Sequence, residues 1–115
     1  MALGYGSVMA MNAAEIVDRA GRLLADAAPP ESKVILFGSR GRGDATADSD
    51  FDFLVIEPSV ESKLEEMVRL RDALDPLPVA ADVIVATRAY VEEWGDVPGT
   101  MLHDALREGR VLAET

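Results

Sequence analysis

Gly38-Ser39 and Asp50-Phe51-Asp52 are separated by ten residues and sit beside two apolar runs, Lys33 to Phe37 and Phe51 to Ile56. That combination can hold a polyphosphate against a divalent cation. Glycine lets phosphate approach the backbone, and successive N–H groups at a helix start bind anions. The Ser39 hydroxyl can donate to a phosphate oxygen. Aspartates two apart in a strand put both carboxylates on one face, with Cα atoms roughly 6.6 Å apart. Phe51, Phe53 and Val55 then take the opposite face, while Leu54 and Ile56 continue the aspartate face into the core. Two close anions repel and burial disfavours their ionisation, a cost that a divalent cation offsets.

Asp82 is a third candidate, the one charge in the apolar run Val79 to Ala86. Burial there would be expensive without a partner. If that strand neighbours the second, three carboxylates cluster. Two aspartates could bridge metals about 3.5–4 Å apart and the third could accept a proton from an incoming hydroxyl. Asp72 and Asp75 compete for that last role, but a solvated carboxylate on a helix or at its end needs no further account. Arg40 and Arg42 are the nearest cations, either neutralising a departing pyrophosphate or standing as solvated loop charges.

The elements that must position these groups are legible from periodicity and breakers. Asn12 and Glu15 form a reciprocal helix cap, followed by Ile16, Val17, Ala20, Leu23, Leu24 and Ala27 at helical spacing and by Pro29-Pro30. The first strand is apolar on both faces, so cover is expected on both. Ser39 to Gly43 is a helical turn or tight loop. Ser62 and Glu65 read as a capping box in a helix running to about Leu74, with Leu64, Met67, Val68 and Leu74 expected inward. Thr87 caps a short helix through Trp94, a last helix spans about Thr100 to Glu108 with Gly109 as a left-handed cap, and Arg110 to Ala113 is an edge strand. Together these predict one α/β (α+β) domain over residues 12–115, a small mixed β-sheet with helices packed mainly on one side, after a flexible segment over residues 1–11.

At 115 residues and 49% hydrophobic the chain has the size and composition of one folded domain. No apolar run is long enough to span a membrane and no signal peptide opens the chain, which sets a cytoplasmic expectation. The absence of cysteine removes thiol chemistry and thiolate metal sites, leaving oxygen or the lone His103 to hold any metal, and oxygen ligands suit Mg²⁺, with Mn²⁺ as the other choice. A net charge of −10 argues against extended nucleic acid but suits a basic protein partner. His103 reads as a satisfied or surface histidine, Tyr90 and Trp94 as packing, Glu61, Glu65 and Glu66 as a solvated helix face, and Asp44 and Asp48 as loop-shaping residues.

These residues resemble the DNA polymerase β-like nucleotidyltransferase superfamily, and the short length resembles its minimal (MNT) members of the antitoxin type. The likeness extends through Glu93 to Thr100 and Leu106 to Leu112 and covers nearly everything after about Ala13. It implies a nucleotidyltransferase fold. It also implies that Gly38 and Ser39 hold the triphosphate of an NTP, that Asp50 and Asp52 ligate two Mg²⁺ ions, and that Asp82 assists metal binding or deprotonation. The implied reaction moves a nucleoside monophosphate, AMP from ATP, to a hydroxyl, and the implied acceptor is a tyrosine of a HEPN-family toxin. Two alternatives stay open: an antitoxin of this fold that acts by occlusion alone, and an enzyme acting on a small-molecule hydroxyl. A domain this short has little room for its own acceptor pocket, so a second protein, or a partner copy in a homo-oligomer, is expected to supply the acceptor.

Overall fold

The structure is a computed structural model that describes residues 11–115. The segment expected to be flexible lies, up to residue 10, outside the described residues, and Met11 packs half-buried against the core. In chain order the elements are α1 (Ala13–Ala27), β1 (Lys33–Phe37), α2 (Gly38–Arg42), β2 (Phe51–Glu57), α3 (Lys63–Asp72), β3 (Ala81–Thr87), α4 (Arg88–Trp94), α5 (Met101–Glu108) and β4 (Arg110–Glu114). The strands form one mixed sheet in the order β3-β2-β1-β4. β1 runs antiparallel to both β2 and β4, and β2 runs parallel to β3. A parallel pair needs a crossover, which α3 supplies.

Local sequence explains most of the boundaries. Asn12 and Glu15 form the reciprocal box, with Asn12 Oδ1 accepting from the Glu15 N–H at 2.8 Å. Thr87 and Thr100 cap α4 and α5 through the N–H groups of Tyr90 and His103. Ser62 caps α3 by accepting from the Glu65 N–H, one half of the expected box, since Glu65 does not reach back to the Ser62 backbone. Gly109, expected as a left-handed cap, is extended instead (φ −75°, ψ 166°). The chain passes straight from α5 into β4, and a Cβ at Gly109 would lie 2.6 Å from Ile35 Cγ2, so close approach and not turn handedness calls for glycine there.

Burial follows the both-face reading of the central strands. Val34, Leu36, Phe51, Phe53, Val55, Val83 and Val85 form the larger core with α1 and Leu70 of α3. Ile35, Phe37, Leu54, Ile56 and Ala86 pack on the other face with Ala105 of α5, joined by Val91 of α4. The expected weighting of helices to one side therefore describes only the larger core, because α4 and α5 cover the second face that two-faced apolar strands require. A second correction concerns α3. Leu64 and Val68, expected inward, are 72% and 52% exposed. The buried stripe runs through Met67, Leu70 and Leu74, a register that helical spacing allows equally well and that turns Leu64 and Val68 to the opposite flank.

Candidate active site

β2 brings the first carboxylates to the sheet end as its alternation dictates. Phe51, Phe53 and Val55 enter the larger core, while Leu54 and Ile56 enter the core beneath α5, so Asp52 opens on the α5 face. The parallel register places Asp52 directly opposite Asp82, which puts their Cα atoms about 4.8 Å apart. Asp50 precedes the strand and is exposed. The carboxyl of Asp52 is pushed above its ordinary range, first by burial and then by the negative charges of Asp82 and Asp50. Asp82 itself is exposed, contrary to the buried position its apolar strand suggested. It lies one residue inside the start of β3, ahead of Ile84 and Ala86, where the cover of the second core gives out.

The Gly38 turn abuts the same carboxylate. Phe37 pairs with Asp52 across the β1–β2 ladder, and Gly38 follows with φ +69°. A Cβ at Gly38 would sit 2.5 Å from Asp52 Oδ2. The backbone conformation calls for glycine, and its bare Cα lets the Asp52 carboxylate close in. α2 then begins at once, its first N–H groups lacking acceptors within the turn, and closes on Gly43 at φ 88°. Ser39 sits half-exposed in its first turn.

Both arginines have partners within the domain. Arg40 donates to the Ser49 carbonyl from Nε (3.1 Å) and Nη2 (2.7 Å), and its guanidinium stacks 3.9 Å from the centre of the Phe51 ring. It ties the α2 turn to the loop that delivers Asp50. Arg42 pairs with Asp44 (3.3 Å) and Glu108 (3.6 Å). His103 is satisfied by the Gly95 carbonyl at 3.0 Å from Nδ1.

The carboxylates open into a cavity of about 450 Å³ whose far wall is Leu64, Met67, Val68, Arg71 and Met101. Sequence reading missed these as site residues. Their only signal is topological: the crossover helix of a parallel pair must lie beside the strand that carries Asp82. Arg71 is the one cation of that lining, with Nε held on the Ala81 carbonyl at 3.3 Å. A second unexpected cluster lies at the other end of β2. Glu57 is 2% exposed and its Oε2 has no hydrogen-bond partner among the described residues. Burial, followed by the adjacent Glu66 carboxylate, pushes Glu57 up to about 8, whereas Arg69 holds Glu66 below its ordinary value.

No group of three His, Asp or Glu side chains forms a finished metal cage among the described residues. The facing Asp52 and Asp82 nevertheless offer oxygen donors only, and their mutual repulsion is what a hard divalent cation relieves. The residues fit such an ion.

Comparison with known proteins agrees with this arrangement. The sequence model of the nucleotidyltransferase domain family matches residues 18–111. A comparison with curated proteins returned no match. Among solved structures, a Sulfolobus solfataricus protein provisionally described as a nucleotidyltransferase is similar, with TM-score 0.61, 18% identity, and coverage of 96% of this chain and 86% of that one. Two toxin–antitoxin structures also share the fold. One, with AMP-PNP, has TM-score 0.53 and 22% identity; the other, an MntA-HpeT mutant, has TM-score 0.52 and 20% identity. Each alignment covers 86% of this chain and 73% of that one. With its glycine turn set against paired aspartates and the family match spanning most of its length, the chain belongs to the nucleotidyltransferase domain family.

Proposed function

We propose that this domain transfers AMP from ATP to a hydroxyl of a partner protein, a tyrosine of a HEPN-type toxin, and so acts as a catalytic antitoxin in the cytoplasm. The observation that carries the catalytic part is the convergence of the Gly38 turn, Asp52 and Asp82 at one sheet end. The toxin part draws on the likeness to the two toxin–antitoxin structures, one of which holds a nucleotide analogue.

Asp50, Asp52 and Asp82 would hold Mg²⁺, which, when bound, would neutralise phosphate charge and lower the acceptor's pKa. Gly38 and Ser39 receive the β and γ phosphates, the hydroxyl of Ser39 donating to an oxygen of the departing group. Arg40 keeps the turn and the Asp50 loop in mutual register. Asp82, the more open of the facing carboxylates, takes the acceptor proton. The acceptor oxygen bonds to the α-phosphorus as its proton leaves. The bond from that phosphorus to the α–β bridging oxygen breaks, and pyrophosphate departs with the electron pair.

The test is to incubate the protein with ATP, Mg²⁺ and the protein encoded beside it, and to read intact masses. The expected result is a gain of whole AMP units on the neighbour, lost with Asp50→Asn. A neighbour that gains no mass yet is neutralised equally by wild type and Asp50→Asn supports occlusion and contradicts catalysis.

A further inference from the structure

The candidate site is asymmetric. Across the sheet end the order is the Gly38 turn after β1, Asp52 on β2, Asp82 on β3, and then the flank of α3. Displacement at phosphorus needs attacking and leaving oxygens roughly in line. If pyrophosphate leaves at the Gly38 turn, the hydroxyl must arrive from the opposite side, across Asp82. The cavity there is lined mainly by apolar side chains, and three of them are unusually open: Leu64 at 72%, Val68 at 52% and Met101 at 56% exposure. Leu64 and Val68 are one helical turn apart and form a continuous strip, and their exposure has no explanation in the packing among the described residues.

On the strength of the nucleotidyl-transfer reading, we propose that this flank of α3, with Met101, is the acceptor-binding wall, and that its occupant is an apolar protein segment with basic flanks that presents its hydroxyl at Asp82. The apolar strip asks for an apolar carrier. Glu65 and Asp72, the helical neighbours of Val68, give the strip an acidic margin, and the chain's net charge of −10 opposes a second copy while favouring a basic partner. The α3 part of the lining, Leu64, Met67, Val68 and Arg71, is aliphatic apart from one cation, which suits an apolar segment better than a polycationic sugar. With Nε on the Ala81 carbonyl, Arg71 can turn its remaining N–H groups to a carbonyl oxygen of the incoming segment.

Two synthetic peptides test this, each with one tyrosine and lysine at both ends, one with leucines beside the tyrosine and the other with serines. Transfer of AMP from Mg·ATP is followed by mass, and Mg·ATP affinity is measured separately by calorimetry. The wild type should prefer the leucine peptide at least tenfold in kcat/KM. Leu64→Ser/Val68→Ser should abolish that preference with Mg·ATP affinity and Tm at wild-type values, and Arg71→Gln should raise KM for both peptides with Mg·ATP affinity at the wild-type value. Equal use of the two peptides by the wild type, or a loss of Mg·ATP affinity in the double variant, overturns the acceptor wall. A wild type that binds Mg·ATP but modifies neither peptide also overturns it and leaves the nucleotide site standing. A wild type that binds no nucleotide overturns the functional reading beneath it.

Discussion

At the scale of single residues, Gly38 and Asp52 constrain each other. Gly38→Ala meets a left-handed backbone and a 2.5 Å approach to Asp52 Oδ2 at once. The left-handed conformation alone costs roughly 1–2 kcal/mol, so urea unfolding should show at least about 1 kcal/mol of lost stability, with Mg·ATP binding weakened as well. An unchanged midpoint and affinity would mean that the turn does not press on the aspartate. For Asp52 the sign runs the other way. A carboxyl raised above its ordinary range ionises in the unfolded chain first, so its contribution to stability falls as pH rises from the unfolded value through the folded one. At neutral pH Asp52→Asn should raise the Tm of the metal-free protein while removing most of the Tm gain from Mg²⁺ with ATP. A lower Tm in the metal-free variant would show that the carboxylate is stabilising as it stands. The aspartates and the glycine–serine turn were readable because chemistry fixes residue type and spacing. The commitment of Arg40 to Ser49 and Phe51 was not, since a loop arginine looks the same whether it waits for phosphate or clamps a carbonyl.

At the scale of elements, β2 carries a carboxylate problem at each end, one open to ligand and one sealed. Glu57 has an ordinary value of 4.5 and is pushed to about 8 in the fold. Between those pH values the folded protein keeps a proton that the unfolded chain has lost, so stability falls as pH rises through that window, by at most about 1.4 kcal/mol per pH unit. Glu57→Gln should flatten that dependence and leave the protein more stable than wild type at pH 8, as read by urea unfolding from pH 5 to 9. A parallel pH profile in the variant would place the proton elsewhere. Helix α1 gives a simpler case: Asn12→Ala removes the capping box and should cost about 1 kcal/mol. Caps and strands were legible because their signals are local. The rotation of α3 was not, because Leu64-Met67-Val68 and Met67-Leu70-Leu74 are both acceptable helical stripes and only packing against β3 selects between them.

At the scale of the whole molecule, a mixed four-stranded sheet covered on both faces places the turn after β1 and the starts of β2 and β3 at one end, and the cavity lined by α3 and α5 opens beside them. The register that sets Asp52 against Asp82 could be anticipated only as a condition on strand adjacency, since nothing in the sequence fixes which strands pair. The proposed reaction requires this sheet end to bind a nucleoside triphosphate through metal held by its aspartates. Calorimetric titration with an ATP analogue whose α–β bridge cannot be cleaved, with Mg²⁺ and with EDTA, on wild type and Asp52→Asn, measures that requirement. Wild-type protein should bind the analogue only with Mg²⁺, and Asp52→Asn should not bind it; metal-independent binding, or equal binding by both proteins, would rule out a metal-held nucleotide at this sheet end.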